Sequence, residues 1–297
     1  MRKWNMLFIG IILGMVIFPS PVGYTTEPAD SSGQRKVLGT WLWNASTIET
    51  NGEGILAFLQ KQQVNKLYLQ ISRKLSLQSY QTFIEQASVR GIEVFALDGA
   101  PNWASPGGER FSRQFFDWLK AYQQSSVPAQ QFKGIQLDVE PYLDQGWKED
   151  YQGTVFRYQD MIVASYTKAR DMDLKFTLAV PFWFDNRSFS NSYGDGILAE
   201  WIILNSDEVV IMAYRDQAQQ INPLVEQEVR WANHHSKQVN IAVETRESAE
   251  GDRISFYEEG SAYMHQQLEE VSGKYSQDVS FNGLAIHHLM TWMDMKP

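Results

Sequence analysis

Phe132-Lys133-Gly134-Ile135-Gln136-Leu137-Asp138-Val139-Glu140-Pro141-Tyr142 is the stretch around which the chain is organised. Ile135, Leu137 and Val139 alternate with Gln136, Asp138 and Glu140. A period of two predicts a β-strand over 132–140 with one apolar and one polar face, ended by Pro141. An ordinary exposed strand face would carry Thr, Lys or Ser. This one carries two carboxylates, Asp138 and Glu140, on the same side. Like charges raise each other's pKa, and burial raises it further. Such an environment produces a carboxylic acid still protonated near neutral pH, which marks a candidate catalytic pair. The competing reading is a solvated strand end, or acids held by an Arg such as Arg73, Arg215 or Arg246.

Working outward, strands are predicted at 37–43, 64–71, 92–97, 132–140, 174–184, 208–214, 239–245 and 281–287. Helical spacing intervenes at 54–63, 80–90, 111–122, 156–170, 197–204, 224–235 and 262–271. Strands alternating with helices give βα units and a parallel sheet. Eight strands of this kind predict an α/β fold, a (β/α)8 TIM barrel in a single domain over 36–297, with the final helix short or missing. The alternative is a doubly wound open sheet, which normally shows a Gly-rich phosphate loop after its first strand. Here that segment is Asn44-Ala45-Ser46-Thr47-Ile48-Glu49.

A barrel of this kind does its chemistry at the carboxyl ends of its strands. Those ends supply Trp41 and Trp43, Asp98, Asp138 and Glu140, Trp183, Tyr214 and Asp216, Glu244, then His287 and Trp292. Acids that hydrogen-bond hydroxyls and flat rings that stack on pyranose faces suit a glycan. Trp41, Trp43, Asp98, Trp183, Asp216, His287 and Trp292 are therefore the candidate substrate-binding residues. Each strand-end Trp has a plain packing role as its alternative.

Phe132 to Glu140 resembles the strand-4 signature F-D-G-I-D-L-D-x-E of family 18 glycoside hydrolases, the chitinase-like barrels. The resemblance implies that Glu140 is the general acid and that Asp138 orients the substrate N-acetyl group. Met212-Ala213-Tyr214-Arg215-Asp216 is similar to the family's M-x-Y-D motif, with Arg215 inserted. Trp292 matches the Trp that commonly floors the sugar site after strand 8. Lys133 and Gln136 depart from the signature, and Gln136 removes part of the buried acid relay.

A second glycosidase reading places the acid on strand 4 and a carboxylate nucleophile on strand 7, at Glu140 and Glu244. The two readings share Glu140. They differ in whether Glu244 or the substrate's acetamido group, held by Tyr214, attacks. A rival of another class is a non-catalytic glycan- or cell-wall-binding barrel. A metal-dependent hydrolase is a third, disfavoured because no H-x-H or H-E-x-x-H spacing occurs. No metal or other cofactor is expected.

The 297 residues carry a net charge of -9, which argues against nucleic acid as a partner. Arg2 and Lys3 precede the apolar run Met6 to Phe18, which reads as a secretory signal or a retained membrane anchor within residues 1–23. Residues 24–35 read as a disordered linker. The chain has no Cys, so neither a disulfide scaffold nor a Cys nucleophile is available. The expected setting is a bacterial protein, secreted or anchored outside the cell.

Overall fold

A computed structural model describes residues 36–297; the signal or anchor segment and the linker expected before them lie outside the described residues. Eight parallel strands close into a barrel. In chain order they are β1 (Val37–Leu42), β2 (Lys66–Gln70), β3 (Glu93–Asp98), β4 (Gly134–Leu137) and β5 (Lys175–Pro181). An antiparallel hairpin of β6 (Ser188–Asn191) and β7 (Gly194–Ile197) follows, then β8 (Glu208–Met212), β9 (Gln238–Glu244) and β10 (Phe281–His287). The ring closes where β1 pairs with β10, from Val37 opposite Gly283 to Thr40 opposite Ile286.

The helices are α1 (Thr47–Lys61), α2 (Leu77–Val89), α3 (Glu109–Gln124), the short α4 (Gly146–Glu149), α5 (Tyr151–Asp171), α6 (Leu198–Leu204), α7 (Ala218–His235), α8 (Ser261–Tyr275) and α9 (Leu289–Met293). The final helix is present and short, as the sequence implies. Three helices, α1, α5 and α7, start five or more residues earlier than their apolar spacing suggests. In α1 the first turn is kinked at Asn51 and buries only Ile48, so it leaves little periodic signal. In α5 the start is set by a cap: the Asp150 carboxylate accepts from the Gly153 N–H at 3.1 Å. The hairpin was not legible as strands, because Ser188 to Gly196 is polar and mostly exposed.

Two apolar layers hold the barrel. The outer layer packs strand residues such as Leu67, Ile135, Leu137, Ile211 and Ile241 against the helices. The inner layer fills the lumen with Trp41, Tyr68, Phe95, Leu97, Val210, Ala242 and Ala285. Gly134 explains why strand 4 opens on a glycine: a Cβ there would lie 2.2 Å from the Phe95 ring. The large inward ring on β3 therefore requires an empty position on β4, the interdigitation that makes a barrel interior a packed core.

Beneath these rings the lumen floor holds a buried ion pair. Lys66 Nζ donates to both carboxylate oxygens of Glu208, at 2.8 and 2.7 Å. Tyr68 Oη and Asn282 Nδ2 complete the Glu208 shell at 3.3 and 2.9 Å, and Lys66 Nζ sits 4.6 Å over the Phe95 ring. Removing one partner leaves a sealed, uncompensated charge, whereas removing both leaves an apolar gap. Lys66→Met is expected to lower unfolding free energy by about 3–5 kcal/mol. Adding Glu208→Leu should recover most of that loss, as read by urea denaturation of the two variants.

Candidate active site at the carboxyl mouth

The ladder of β4 ends at Leu137, and Asp138, Val139 and Glu140 follow it, with Glu140 at φ −104°, ψ 76° leading into the next turn. Asp138 N–H donates to the Asp98 carbonyl at 3.0 Å. Gly99, at φ +147°, lets the turn after β3 pass directly against this backbone; a Cβ there would lie 2.3 Å from the Asp138 carbonyl oxygen. Alternation then aims Gln136, Asp138 and Glu140 to one side. Pro141 opens a 3-10 turn over Pro141–Leu143 that carries Tyr142 back, so that its hydroxyl donates to a Glu140 oxygen.

Asp138 is the most perturbed carboxyl of the site. Its Oδ1 is sealed from solvent and has no hydrogen-bond partner. Burial, reinforced by the Glu140 charge and opposed by His287, pushes its pKa up to about 7. Below it Gln136 is fully buried, with neither amide atom paired, so the residue under Asp138 is neutral. Tyr158 of α5 is also fully buried with an unpaired hydroxyl. Its pKa is raised by burial first, then by Asp138 and Glu140, which places it beside the pair.

Glu244 lies at the end of β9 in a different state. One oxygen accepts from the Thr245 and Arg246 N–H groups, each at 2.8 Å, and the other is 2.8 Å from His287 Nδ1. Burial works to raise its pKa, but the His287 bond and the two backbone amides outweigh it and hold the pKa below the ordinary range. Both oxygens are thus engaged in hydrogen bonds. His287 Nε2 in turn receives the Trp43 indole N–H at 2.9 Å. Tyr214 stands over the same space, its ring 5.9 Å from that of His287. Burial, then the charges of Glu244, Asp138 and Glu140, raise its pKa, so the hydroxyl keeps its proton and can donate.

One wall of the mouth is aromatic. Tyr142 packs edge-on to Trp183 at 5.0 Å, and Trp147 lies 6.2 Å from Trp183. Trp183 lies just past the end of β5, in a 3-10 turn over Phe182–Asn186. Tyr142, Trp147 and Tyr158 escaped sequence reasoning. Only Tyr142, two residues after Glu140, carried a local signal; the other two arrive from α4 and α5 through folding.

Three expected binding residues, Trp41, Trp292 and Asp216, are elsewhere. Trp41 is 1% exposed inside the lumen, packed at a tilt against Tyr68 with ring centroids 5.0 Å apart, so it is core and not a sugar platform. Trp292 is 2% exposed on α9, edge-on to Phe58 at 5.2 Å, in the layer between strands and helices. It therefore does not floor the site. Asp216 is buried against the β9–α8 loop, its N–H donating to the Arg253 carbonyl, with Glu259 and Tyr263 as electrostatic neighbours. Asp98 stays on the rim between β2 and β3, bound to Gln70 and to the Gly99 N–H. Among the described residues no three His, Asp or Glu side chains converge as a metal site.

No protein-family model matches the chain, and no curated protein matches it. Solved structures share its fold. A GH18 chitinase from Pseudoalteromonas aurantia superposes with a TM-score of 0.57 at 11% identity, over 85% of this chain and 94% of that one. A plant class V chitinase mutant from Cycas revoluta, in complex with (GlcNAc)3, gives 0.54 at 13% identity over 87% and 96%. A D-psicose 3-epimerase from Clostridium cellulolyticum H10 gives 0.51 at 13% identity over 85% and 84%. The chain therefore has the TIM-barrel fold that these chitinases and the epimerase share. Because an epimerase shares that barrel, the chemistry must be argued from side chains.

The raised Asp138 pKa makes a stability prediction. Between the ordinary value of 3.8 and about 7, the folded protein holds a proton that the unfolded chain has released. Stability from this group is full below pH 3.8 and is lost as pH rises through 7. Relative to Asp138→Asn, the wild type should lose on the order of 3 kcal/mol between pH 4 and pH 8. Chemical denaturation of both proteins across that range checks it, and parallel curves would refute it.

Proposed function

We propose that this chain is a glycoside hydrolase acting on a glycan that contains N-acetylated sugars, with Glu140 as general acid. The observation that carries the reading is the convergence of Asp138, Glu140 and the Tyr214 hydroxyl at one mouth of the barrel, beside an aromatic wall. Two chitinases of the same fold, one bound to (GlcNAc)3, support this choice of sugar.

Glu140 gives its proton to the glycosidic oxygen as the bond from C1 to that oxygen breaks. Tyr142 holds the Glu140 carboxyl in place. The acetamido oxygen of the same sugar forms the new bond to C1, and Asp138 and Tyr214 position that group. Water then opens the cyclic intermediate and returns a proton to Glu140. The engagement of both Glu244 oxygens supports this substrate-assisted route over a Glu244 nucleophile. The basic and apolar stretch within residues 1–23 supports action outside the cytoplasm, on a cell-wall or environmental polymer. A second reading, a glycan-binding barrel without turnover, is favoured by one observation: Gln136 is neutral and unpaired beneath Asp138.

Chitin oligosaccharides, peptidoglycan and β-glucans, incubated with the wild type and with Glu140→Gln, separate the two. The hydrolase reading expects product from an N-acetylated substrate and a loss of about 10²-fold or more in the variant, the usual scale of a general acid. Equal retention of one glycan by both proteins, with no product from either, would favour the binding barrel.

A further inference from the structure

Three tryptophans stand near the carboxyl ends of the first and last barrel strands, and they are treated differently. The indole nitrogens of Trp41 and Trp292 are buried without a partner. Trp43 is half-buried at the mouth and, like Tyr214, packs against the lumen cluster, where water could serve its N–H. Yet this is the indole that the protein ties down, at 2.9 Å to His287 Nε2.

The tie is directional along its whole length. An indole N–H can only donate, so His287 Nε2 must accept. His287 then carries its hydrogen on Nδ1 and donates it to Glu244 at 2.8 Å. A doubly protonated ring would set N–H against N–H and release Trp43. Glu244 is itself clamped by the Thr245 and Arg246 amides. Three strand ends, those of β9, β10 and β1, are thereby fastened to orient one aromatic plane. That plane faces the space shared with Tyr214, whose ring lies 5.9 Å from that of His287 and whose electrostatic neighbours include Asp138 and Glu140.

We propose that Trp43 is the stacking floor for the pyranose held at Glu140, and that Glu244 and His287 are positioning residues whose hydrogen-bond chain sets the angle of its ring. This rests on the glycan reading above and moves the floor from the last strand to the first. The arrangement gives Glu244 a role that needs no contact with the reacting carbon. It also uses the neutral, fixed tautomer of His287 rather than its proton.

The test is binding of an N-acetylglucosamine oligomer to the full chain silenced by Glu140→Gln, measured calorimetrically. In that background Trp43→Ala should weaken binding tenfold or more. Trp43→Phe keeps a ring and loses the N–H, so it should lose several-fold only. His287→Gln should also cost several-fold, and combining it with Trp43→Phe should cost no more than either alone, because both cut the same link. Glu244→Gln is the gentler second variant, with the same several-fold loss expected. The Trp43 indole ¹⁵N–¹H signal should shift in His287→Gln and on adding oligomer to the parent. Affinity within twofold of the parent in Trp43→Ala, or losses that multiply in the double variant, would overturn the inference and leave the glycan reading standing. No binding by the parent itself would remove both.

Discussion

The pairing of β1 with β10 is the contact on which the site depends. It is a short run of parallel backbone hydrogen bonds, Val37 to Thr40 against Gly283 to Ile286. Without it the sheet would be open and the first and last strands would end far apart. With it, Trp43 and His287 come within hydrogen-bond distance although 244 residues separate them in sequence. Closure also seals the lumen, so that Lys66 and Glu208 must satisfy each other and Asp138 is withdrawn from water. The perturbed electrostatics of the mouth thus follow from topology.

Three carboxyls share that mouth, and their surroundings drive Asp138 and Glu244 to different states. Glu244 has backbone amides and an imidazole, so its charged form is stabilised. Asp138 has an unpaired, sealed oxygen, and Glu140 nearby disfavours its ionisation. Glu140 accepts a hydrogen bond from the Tyr142 hydroxyl. Separation of titratable neighbours by environment is how one fold divides acid, base and structural tasks among identical groups. On the proposed glycosidase reading, this division gives Glu140 and Asp138 the chemistry and Glu244 a supporting role.

The tryptophans show where reading strand ends fails. Trp41 and Trp43 are two apart and share a face, so alternation places both inward. It does not say that the barrel interior ends between them. Trp41 falls on the packed side of that boundary and Trp43 on the open side. Trp292 fails for another reason: the short α9 that follows β10 turns its ring outward onto Phe58. Asp216 is likewise drawn off by the β9–α8 loop, a partner 37 residues away that no local pattern announces.

The sequence by itself determined the barrel, because side-chain periodicity of two and of about 3.6 is a local property of each strand and helix. It also determined the Asp138–Glu140 pair, since two carboxylates on one strand face are neighbours wherever that strand goes. Only the tertiary structure decided which carboxyl keeps a proton, which is clamped, and which tryptophan is open to a ligand. Those outcomes depend on burial and on partners from other strands. Desolvation and hydrogen bonding are set by what surrounds a group in space, and sequence spacing does not carry that information.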